Sequence, residues 1–132
     1  MRFLAAILLT ATTLAPTPAL AAQVAATPQP RFVHHVFFYL KRPGNAQDKA
    51  RLAAALQRLS RAPTIRSHQI GEHAGTTRAV VQRGYDLSWT LTFDSAADQE
   101  AYQVDPIHLD FVRENEGLWS RVVVYDTVPA QP

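Results

Sequence analysis

The stretch Phe32-Val33-His34-His35-Val36-Phe37-Phe38-Tyr39-Leu40 restricts the fold more than any other part of the chain. It is rich in β-branched and aromatic residues, which predicts a β-strand. Alternate side chains of a strand point to opposite faces, so one face carries Val33, His35, Phe37 and Tyr39 and the other carries His34, Val36, Phe38 and Leu40. Both sets are largely apolar. One layer of helices cannot cover both faces, so the strand requires a second covering layer.

The pattern after this strand alternates between helical and extended periodicity. Asn45 is placed to cap a helix over residues 45–60, in which Leu52, Leu56 and Leu59 recur at helical spacing. Further strands are expected over residues 65–73, 86–94 and 119–127, with a long loop over 74–84 and helical segments over 95–102 and 106–117.

This order of elements predicts an α+β fold. The arrangement βαββαβ is ferredoxin-like, with a four-stranded antiparallel sheet and helices on one face. The first and last strands carry apolar side chains on their second face as well, which a monomer would expose. The simplest cover is a second copy related by two-fold symmetry, so that two sheets pair into a dimeric α/β barrel.

The corner between the last two helical segments carries a dense group of titratable side chains. Residues 102–111 hold a phenol, an imidazole and two carboxylates. Pro106 fits the first turn of a helix, so Asp105 is the expected N-cap of a new helix. Tyr102 then closes the preceding helix and His108 opens the next. The sequence thus predicts a rigid corner with two titratable groups.

The N-terminus has the features of an export signal. Arg2 precedes an apolar run, and Ala19-Leu20-Ala21 offers the small-x-small pattern that a signal peptidase reads. The run is too short to span a bilayer as a mature helix, although an uncleaved anchor is the alternative interpretation. The expected segments are a cleaved signal peptide over residues 1–22, a disordered leader over 23–31, a domain over 32–127 and a tail over 128–132. No membrane association is expected after cleavage.

Charge and composition exclude several classes of function. The chain has 13 basic and 11 acidic residues, and removal of Arg2 leaves 12 against 11, so the mature domain is almost neutral. A nucleic-acid partner is not expected, because phosphate binding requires clustered lysine and arginine. The absence of cysteine excludes disulfides and thiolate metal sites, and export without cysteine fits a bacterial periplasm. His68 and His73 point to opposite faces of a regular strand, so a shared metal site is not expected. No cofactor is expected.

Several spaced motifs occur together in the order typical of one family. They are a histidine within the apolar residues 33–37, Ala62-Pro63-Thr64-Ile65, a Tyr-Asp-Leu…Phe-x-Ser pattern over 85–95, Tyr102-x-x-x-Pro106-x-His108-x-x-Phe111, and Trp119 followed by Val122-Val123-Val124-Tyr125-Asp126. The chain thereby resembles the stress-responsive dimeric α/β-barrel (Dabb) family from about Phe32 to Asp126. The resemblance implies a homodimer in which two sheets form a barrel.

The resemblance also implies site residues. In a polyketide cyclase of that family, the essential tyrosine and histidine match Tyr102 and His108. Neutral His108 would remove a proton α to a carbonyl, and Tyr102 would hydrogen-bond the developing enolate oxygen. The expected ligand-binding residues, in a pocket between sheet and helices, are His35, Phe37, Tyr39, Trp89, Phe111 and Trp119. His34 lies on the opposite face from His35 and is expected at the dimer interface.

Three hypotheses for the function follow. The first is an exported dimer that binds a small apolar or phenolic molecule without turnover. The second is an enzyme of the proton-transfer, cyclase or lyase type that uses His108 and Tyr102. The third is a structural or stress-protective dimer with a filled interior. Trp89 and the first helix differ from the pocket residues of the cyclase, so a polyketide substrate is not implied.

Overall fold

The computed structural model describes residues 32–130, and the predicted signal peptide and leader lie outside these residues. Its elements are β1 (Phe32–Leu40), α1 (Ala46–Leu59), β2 (Ser67–Gly71), β3 (Leu87–Phe93), α2 (Ala96–Val104), α3 (Pro106–Asn115), a short 3-10 turn (Glu116–Leu118) and β4 (Trp119–Thr127). The order along the chain is the predicted βαββαβ, with the second helical region divided at Pro106. Within residues 32–130, no helix is long and apolar enough to cross a membrane.

The sheet is antiparallel and has the strand order β2-β3-β1-β4. The long apolar strand β1 is therefore central, and β2 and β4 form the edges. Val36 pairs with Trp89 on one side and with Val124 on the other. This register aligns the alternate side chains of three strands into two continuous faces. The predicted α+β, ferredoxin-like fold is confirmed.

The helices cover only one of these two faces. The even-numbered residues of β1 from His34 to Leu40 are buried, and so are Leu87, Trp89, Leu91 and Phe93 of β3. They pack with Leu52, Leu56 and Leu59 of α1, with Tyr102 of α2 and with Phe111 of α3. This face, which we call the helix-covered face, forms the hydrophobic core.

The other face of the sheet, which we call the open face, has no helix over it. The odd-numbered residues of β1 are half-buried there, and the Phe37 ring lies 5.0 Å from the ring of Tyr85 and 6.1 Å from that of Tyr125. The Arg121 guanidinium stands 3.8 Å from the centre of the Tyr39 ring, a cation–π contact. Tyr125 nevertheless remains 60% exposed. The apolar second face that β1 predicts is thus present.

Candidate functional site

A single aspartate fixes the corner that joins α2 to α3. Asp105 ends α2 and caps α3, since its Oδ1 accepts a hydrogen bond of 2.9 Å from the backbone N–H of Ile107. Pro106 follows in the first turn of α3, where no hydrogen bond is lost. The corner brings the ring of Tyr102, near the end of α2, within 4.5 Å of the ring of His108, near the start of α3. The predicted pair of titratable groups therefore exists as a contact.

His34 supplies a second imidazole from the sheet. It is 6% exposed on the helix-covered face, and its Nδ1 lies 2.6 Å from Oδ1 of Asp126, its cross-strand partner on β4. An ionised carboxylate only accepts hydrogen bonds, so the proton of neutral His34 resides on Nδ1 and Nε2 keeps a lone pair. The Asp126 side chain is 43% exposed, and it holds the imidazole in one tautomer and orientation.

His108 is held in the same tautomer by a different partner. Its Nδ1 lies 3.1 Å from the backbone carbonyl oxygen of Gln103, which can only accept, so Nε2 is again the nitrogen without a proton. Burial lowers the pKa of His108 below its ordinary value; proximity to His34 lowers it further, and the Gln103 carbonyl partly opposes this change. The imidazole is therefore neutral at neutral pH and able to accept a proton.

Tyr102 has the opposite character. The residue is 2% exposed, and burial raises the pKa of its phenol well above the ordinary value for tyrosine. The hydroxyl consequently keeps its proton and is a hydrogen-bond donor rather than a base. Its ring also contacts Phe93 at 5.4 Å and His34 at 6.2 Å between ring centres. One phenolic donor thus stands beside two imidazoles that are each anchored through Nδ1.

These groups line a cavity of about 500 Å³ between the sheet and the helices, a volume typical of small-molecule sites. The apolar part of its wall consists of Val36, Phe38, Leu59, Trp89, Phe111, Val112, Trp119, Val122 and Val124. The polar part consists of His34, Gln99, Tyr102, Gln103, His108 and Asp126. Val124 and Asp126 belong to the edge strand β4. An apolar chamber with one polar cluster suits a small hydrophobic molecule that carries an oxygen.

The cavity contains five of the residues that the sequence assigned to the site. They are Tyr102, His108, Trp89, Phe111 and Trp119. The placement of the other three between sheet and helices is wrong, because His35, Phe37 and Tyr39 are the odd-numbered residues of β1 and point to the open face. Phe37 and Tyr39 border a smaller hollow there, of about 200 Å³, together with Gln82, Tyr85, Val123 and Tyr125.

The placement of His34 is corrected for the same reason. The sequence placed it on the face opposite the pocket, whereas it is the cavity histidine of β1. Asp126, Gln99 and Gln103 are further cavity residues that the sequence pattern did not identify. The signal for His34 was available in its alternation with Val36, Phe38 and Leu40, the set without the half-polar Tyr39. Antiparallel pairing of the first and last strands would then have brought Asp126 beside it.

The described part of the chain, residues 32–130, contains no cluster of three or more histidine, aspartate or glutamate side chains able to hold a metal ion. His34 and Asp126 contact each other, but two residues are fewer than such a cluster requires. The polar side chains that line the cavity offer two imidazoles, a phenol, a carboxylate and two amides. Imidazoles and phenols are groups that commonly transfer protons in enzymes.

Comparison with known proteins gives both a family and a set of folds. The sequence model of the stress responsive A/B barrel domain (Dabb) matches residues 32–129. A search of curated proteins found no match. Among solved structures, a Dabb family protein with a ferredoxin-like fold from Mesorhizobium loti is similar, with a TM-score of 0.65 and 21% identity over 78% of this chain and 100% of that one.

Two further solved structures are informative. A dimeric ferredoxin-like protein of unknown function from Thermobifida fusca has a TM-score of 0.62 and 17% identity, over 74% of this chain and 90% of that one. A hydroxynitrile lyase from Passiflora edulis has a TM-score of 0.63 and 24% identity, over 79% of this chain and 98% of that one. At these identities the likeness concerns the fold.

Proposed function

The chain belongs to the stress responsive A/B barrel domain family, and from its cavity we propose that it binds a small, mostly apolar carbonyl or hydroxyl compound and transfers a proton on it. The observation that carries the proposal is the arrangement of two anchored imidazoles and one phenol around the cavity. His34 and His108 are each anchored through Nδ1, which places the lone pair of a neutral imidazole on Nε2, while Tyr102 keeps its hydroxyl proton. A pocket that only binds apolar molecules has no need of two oriented bases beside one donor.

The proposed step is the removal of a proton from a carbon next to a carbonyl group. The C–H bond breaks, Nε2 of His108 takes the proton, and the electron pair moves into an enolate whose oxygen accepts a hydrogen bond from Tyr102. The His34–Asp126 pair supplies a second base or, once protonated, an acid that returns a proton to the product. The same groups would serve the addition of a carbanion to a carbonyl or the reverse cleavage of a carbon–carbon bond.

The fold of the relatives is compatible with this class of reaction. One of the similar structures is a hydroxynitrile lyase, so at least one protein with this fold is a lyase. The likeness at 24% identity does not transfer its substrate. Proton transfer in this chain is inferred from its own His108, Tyr102 and His34.

We also propose that the protein works as a homodimer and is exported. Solved relatives from Thermobifida fusca and Bacteroides fragilis are dimeric, and the open face of this chain carries the exposed ring of Tyr125 beside half-buried aromatic side chains. A second copy packed on that face would cover them. The N-terminal sequence supports export, and the near-neutral, cysteine-free composition fits the bacterial periplasm.

The experiment uses a probe that reports proton abstraction without knowledge of the natural substrate. Residues 23–132 are incubated with acetophenone in D₂O, and exchange of the methyl protons is followed by NMR. Mandelonitrile cleavage to benzaldehyde is measured in parallel for the carbon–carbon lyase reaction. Thermal shifts report binding, since a ligand at about 100 times its Kd stabilises the native state by about 2.7 kcal/mol. The variants are His108→Gln and Tyr102→Phe, with His73→Gln as the control outside the cavity.

We expect exchange above the buffer rate in the wild type and in His73→Gln, and a loss of about 100-fold or more in His108→Gln. Retention of full exchange in His108→Gln would contradict the assigned base. A thermal shift without exchange or cleavage would restrict the function to binding. The absence of any thermal shift would favour the structural dimer and remove the proposed function altogether.

A further inference from the structure

Helix α2 places a glutamine, Gln99, at a buried position of the cavity wall. The buried residues of this helix are Gln99 and Tyr102. The buried face of a surface helix is normally apolar, so a glutamine there departs from the pattern that packing alone favours. Departures of this kind concentrate at functional sites.

The side chain of Gln99 has no partner within the fold. Four polar or charged residues are buried in the part of the chain that the structure describes, and three of them have hydrogen-bonded side chains: His34, Asp48 and Asn115. Gln99 is 8% exposed, and its backbone N–H donates to the carbonyl of Ser95, but its side-chain amide has no partner within residues 32–130. A buried amide without a partner is unfavourable, because it has given up its hydrogen bonds to water.

The unpaired amide of Gln99 faces space that a ligand can fill. Its atoms are not among the fully enclosed polar atoms that lack a partner in the described residues, so they keep accessible surface in a residue that lines the cavity. Gln103, one turn further along α2, lines the same cavity, and its side-chain amide is also unpaired within residues 32–130. Residues at i, i+3 and i+4 share one face of a helix, so α2 presents the phenol of Tyr102 between two amides.

The charges of the wall restrict the group that the amides can receive. None of the cavity-lining residues in the described part of the chain is lysine or arginine, and Asp126 adds a carboxylate. An anionic group would therefore lose its hydration without gaining a cation, which is strongly unfavourable. A glutamine amide both donates and accepts hydrogen bonds, so a neutral hydroxyl group suits it.

We propose that Gln99, with Gln103 beside it, determines specificity: its amide hydrogen-bonds a second, uncharged polar group of the bound molecule, while Tyr102 binds the carbonyl oxygen. The proposal rests on the proposed function for the place of the carbonyl. It narrows the ligand class to neutral ketones or aldehydes that carry a hydroxyl group about 5–6 Å from the carbonyl oxygen, the spacing of side chains one helical turn apart.

The first test needs no ligand and asks whether the amide serves the fold. In Gln99→Leu we expect a urea midpoint equal to that of the wild type or higher, because no hydrogen bond of the fold is lost and an apolar side chain of similar size is buried. Gln57→Leu, the same substitution at an exposed position of α1, is the matched control and should leave the midpoint in place. A midpoint clearly lowered in Gln99→Leu alone would show that the amide stabilises the fold, and the proposal would be overturned.

The second test measures specificity with two ketones of nearly equal shape. Kd values are determined for meta-hydroxyacetophenone and meta-methylacetophenone, which differ by a hydroxyl in place of a methyl group. In Gln99→Leu we expect the ratio of the two Kd values to shift by about tenfold toward the methyl compound, because the hydroxyl loses a hydrogen-bond partner. Gln103→Leu should shift it in the same direction, and Gln57→Leu should keep the wild-type ratio. An unchanged ratio in Gln99→Leu would contradict the proposal.

A charged probe tests the restriction to neutral groups. Meta-acetylbenzoate is an anion at pH 7.5, and we expect the wild type to bind it more weakly than either uncharged ketone, because the wall offers no lysine or arginine. Tighter binding of the anion than of meta-hydroxyacetophenone would overturn the assignment of an uncharged second group.

These measurements separate the proposal from the reaction on which it rests. Exchange of methyl protons together with an unchanged Kd ratio in Gln99→Leu would leave the reaction intact and reject the role of Gln99. A shifted ratio without exchange in any variant would support the role of Gln99 and reject the reaction. Failure of all three probes to bind would contradict both.

Discussion

The two cavity imidazoles are anchored through Nδ1 by different kinds of acceptor, a carboxylate for His34 and a backbone carbonyl for His108. The carboxylate stabilises a positive charge on His34 after it takes a proton, whereas the carbonyl mainly orients His108. This difference supports distinct proposed roles for two residues of the same type. It also means that the contribution of Asp126 can be tested apart from that of either histidine.

Asp126→Asn should lower the rate of proton exchange by about tenfold or more with little effect on stability, because the amide can no longer stabilise the imidazolium of His34. The replacement keeps an oxygen that can accept from Nδ1 of His34, and the side chain at this position is 43% exposed, so little stability should be lost. The measurement is the initial rate of methyl-proton exchange in acetophenone, beside the urea midpoint. Asp110→Asn removes an exposed carboxylate of α3 and serves as the control. Equal rates in the two variants would argue against a role for the His34–Asp126 pair.

The lowered pKa of His108 predicts a dependence of stability on pH. The folded state disfavours the protonated imidazole, so between the lowered pKa and the ordinary value near 6.5 the unfolded chain binds more protons. Stability from this group is therefore complete above about pH 6.5 and decreases as the pH falls below it. Urea midpoints measured between pH 7.5 and 5.5 should decrease as the pH is lowered in the wild type. The decrease should be less steep in His108→Gln. A slope that is identical in the variant would contradict this assignment.

At the residue level the sequence predicts the types of side chain in the site better than it predicts the face of the sheet to which each one points. The proximity of Tyr102 and His108 was predicted because Pro106 marks the break between two helices. Residue spacing alone is enough to locate such a break. His34 and His35 are adjacent and equally plausible by type, so their roles depend on which face the helices cover. That choice is made by the long-range packing of α1 on the sheet, and the pattern of β1 signals it only through the more apolar set that alternates with His34.

At the level of elements, the junction of α2 and α3 combines a cap with the site. Asp105→Ala should destabilise the fold by about 1 kcal/mol, the usual cost of removing an N-cap, because the N–H of Ile107 loses its acceptor. Asp105→Asn keeps an acceptor oxygen and should stay close to the wild type. Urea denaturation at pH 7.5 measures both. The alanine variant should also lose activity, since Tyr102 and His108 are held together by this corner.

The boundaries of some elements are set by local interactions, and those of others by contacts with distant parts of the chain. Asn45 caps α1 as the sequence predicts, and Ser95 caps α2, since capping is a local interaction. Strand β2 is shorter than expected, Ser67–Gly71 instead of residues 65–73, because only these five residues find partners on β3. Pairing length in an edge strand depends on its neighbour, and the pattern of β2 is too weak to specify it.

At the level of the whole molecule, the open face connects the sequence pattern of β1 with assembly. A stable homodimer typically buries about 800 Å² on each partner, and the exposed ring of Tyr125 lies beside Phe37 on the face that would be buried. A charge introduced there would have to be desolvated at the interface without a partner, which is strongly unfavourable. The monomer itself should tolerate the change, because Tyr125 is already 60% exposed.

Tyr125→Glu should therefore shift the mature protein from dimer to monomer while its circular dichroism spectrum stays the same. Light scattering coupled to size-exclusion chromatography, over a hundredfold range of concentration, gives the mass of each species. Val80→Glu is the matched control, since Val80 is 90% exposed in the loop between β2 and β3 and outside the sheet face. A wild type that is monomeric throughout, or a Tyr125→Glu variant that remains dimeric, would contradict pairing through the open face. Because the cavity opens on the helix-covered face, a folded Tyr125→Glu monomer would also show whether proton exchange requires the second copy.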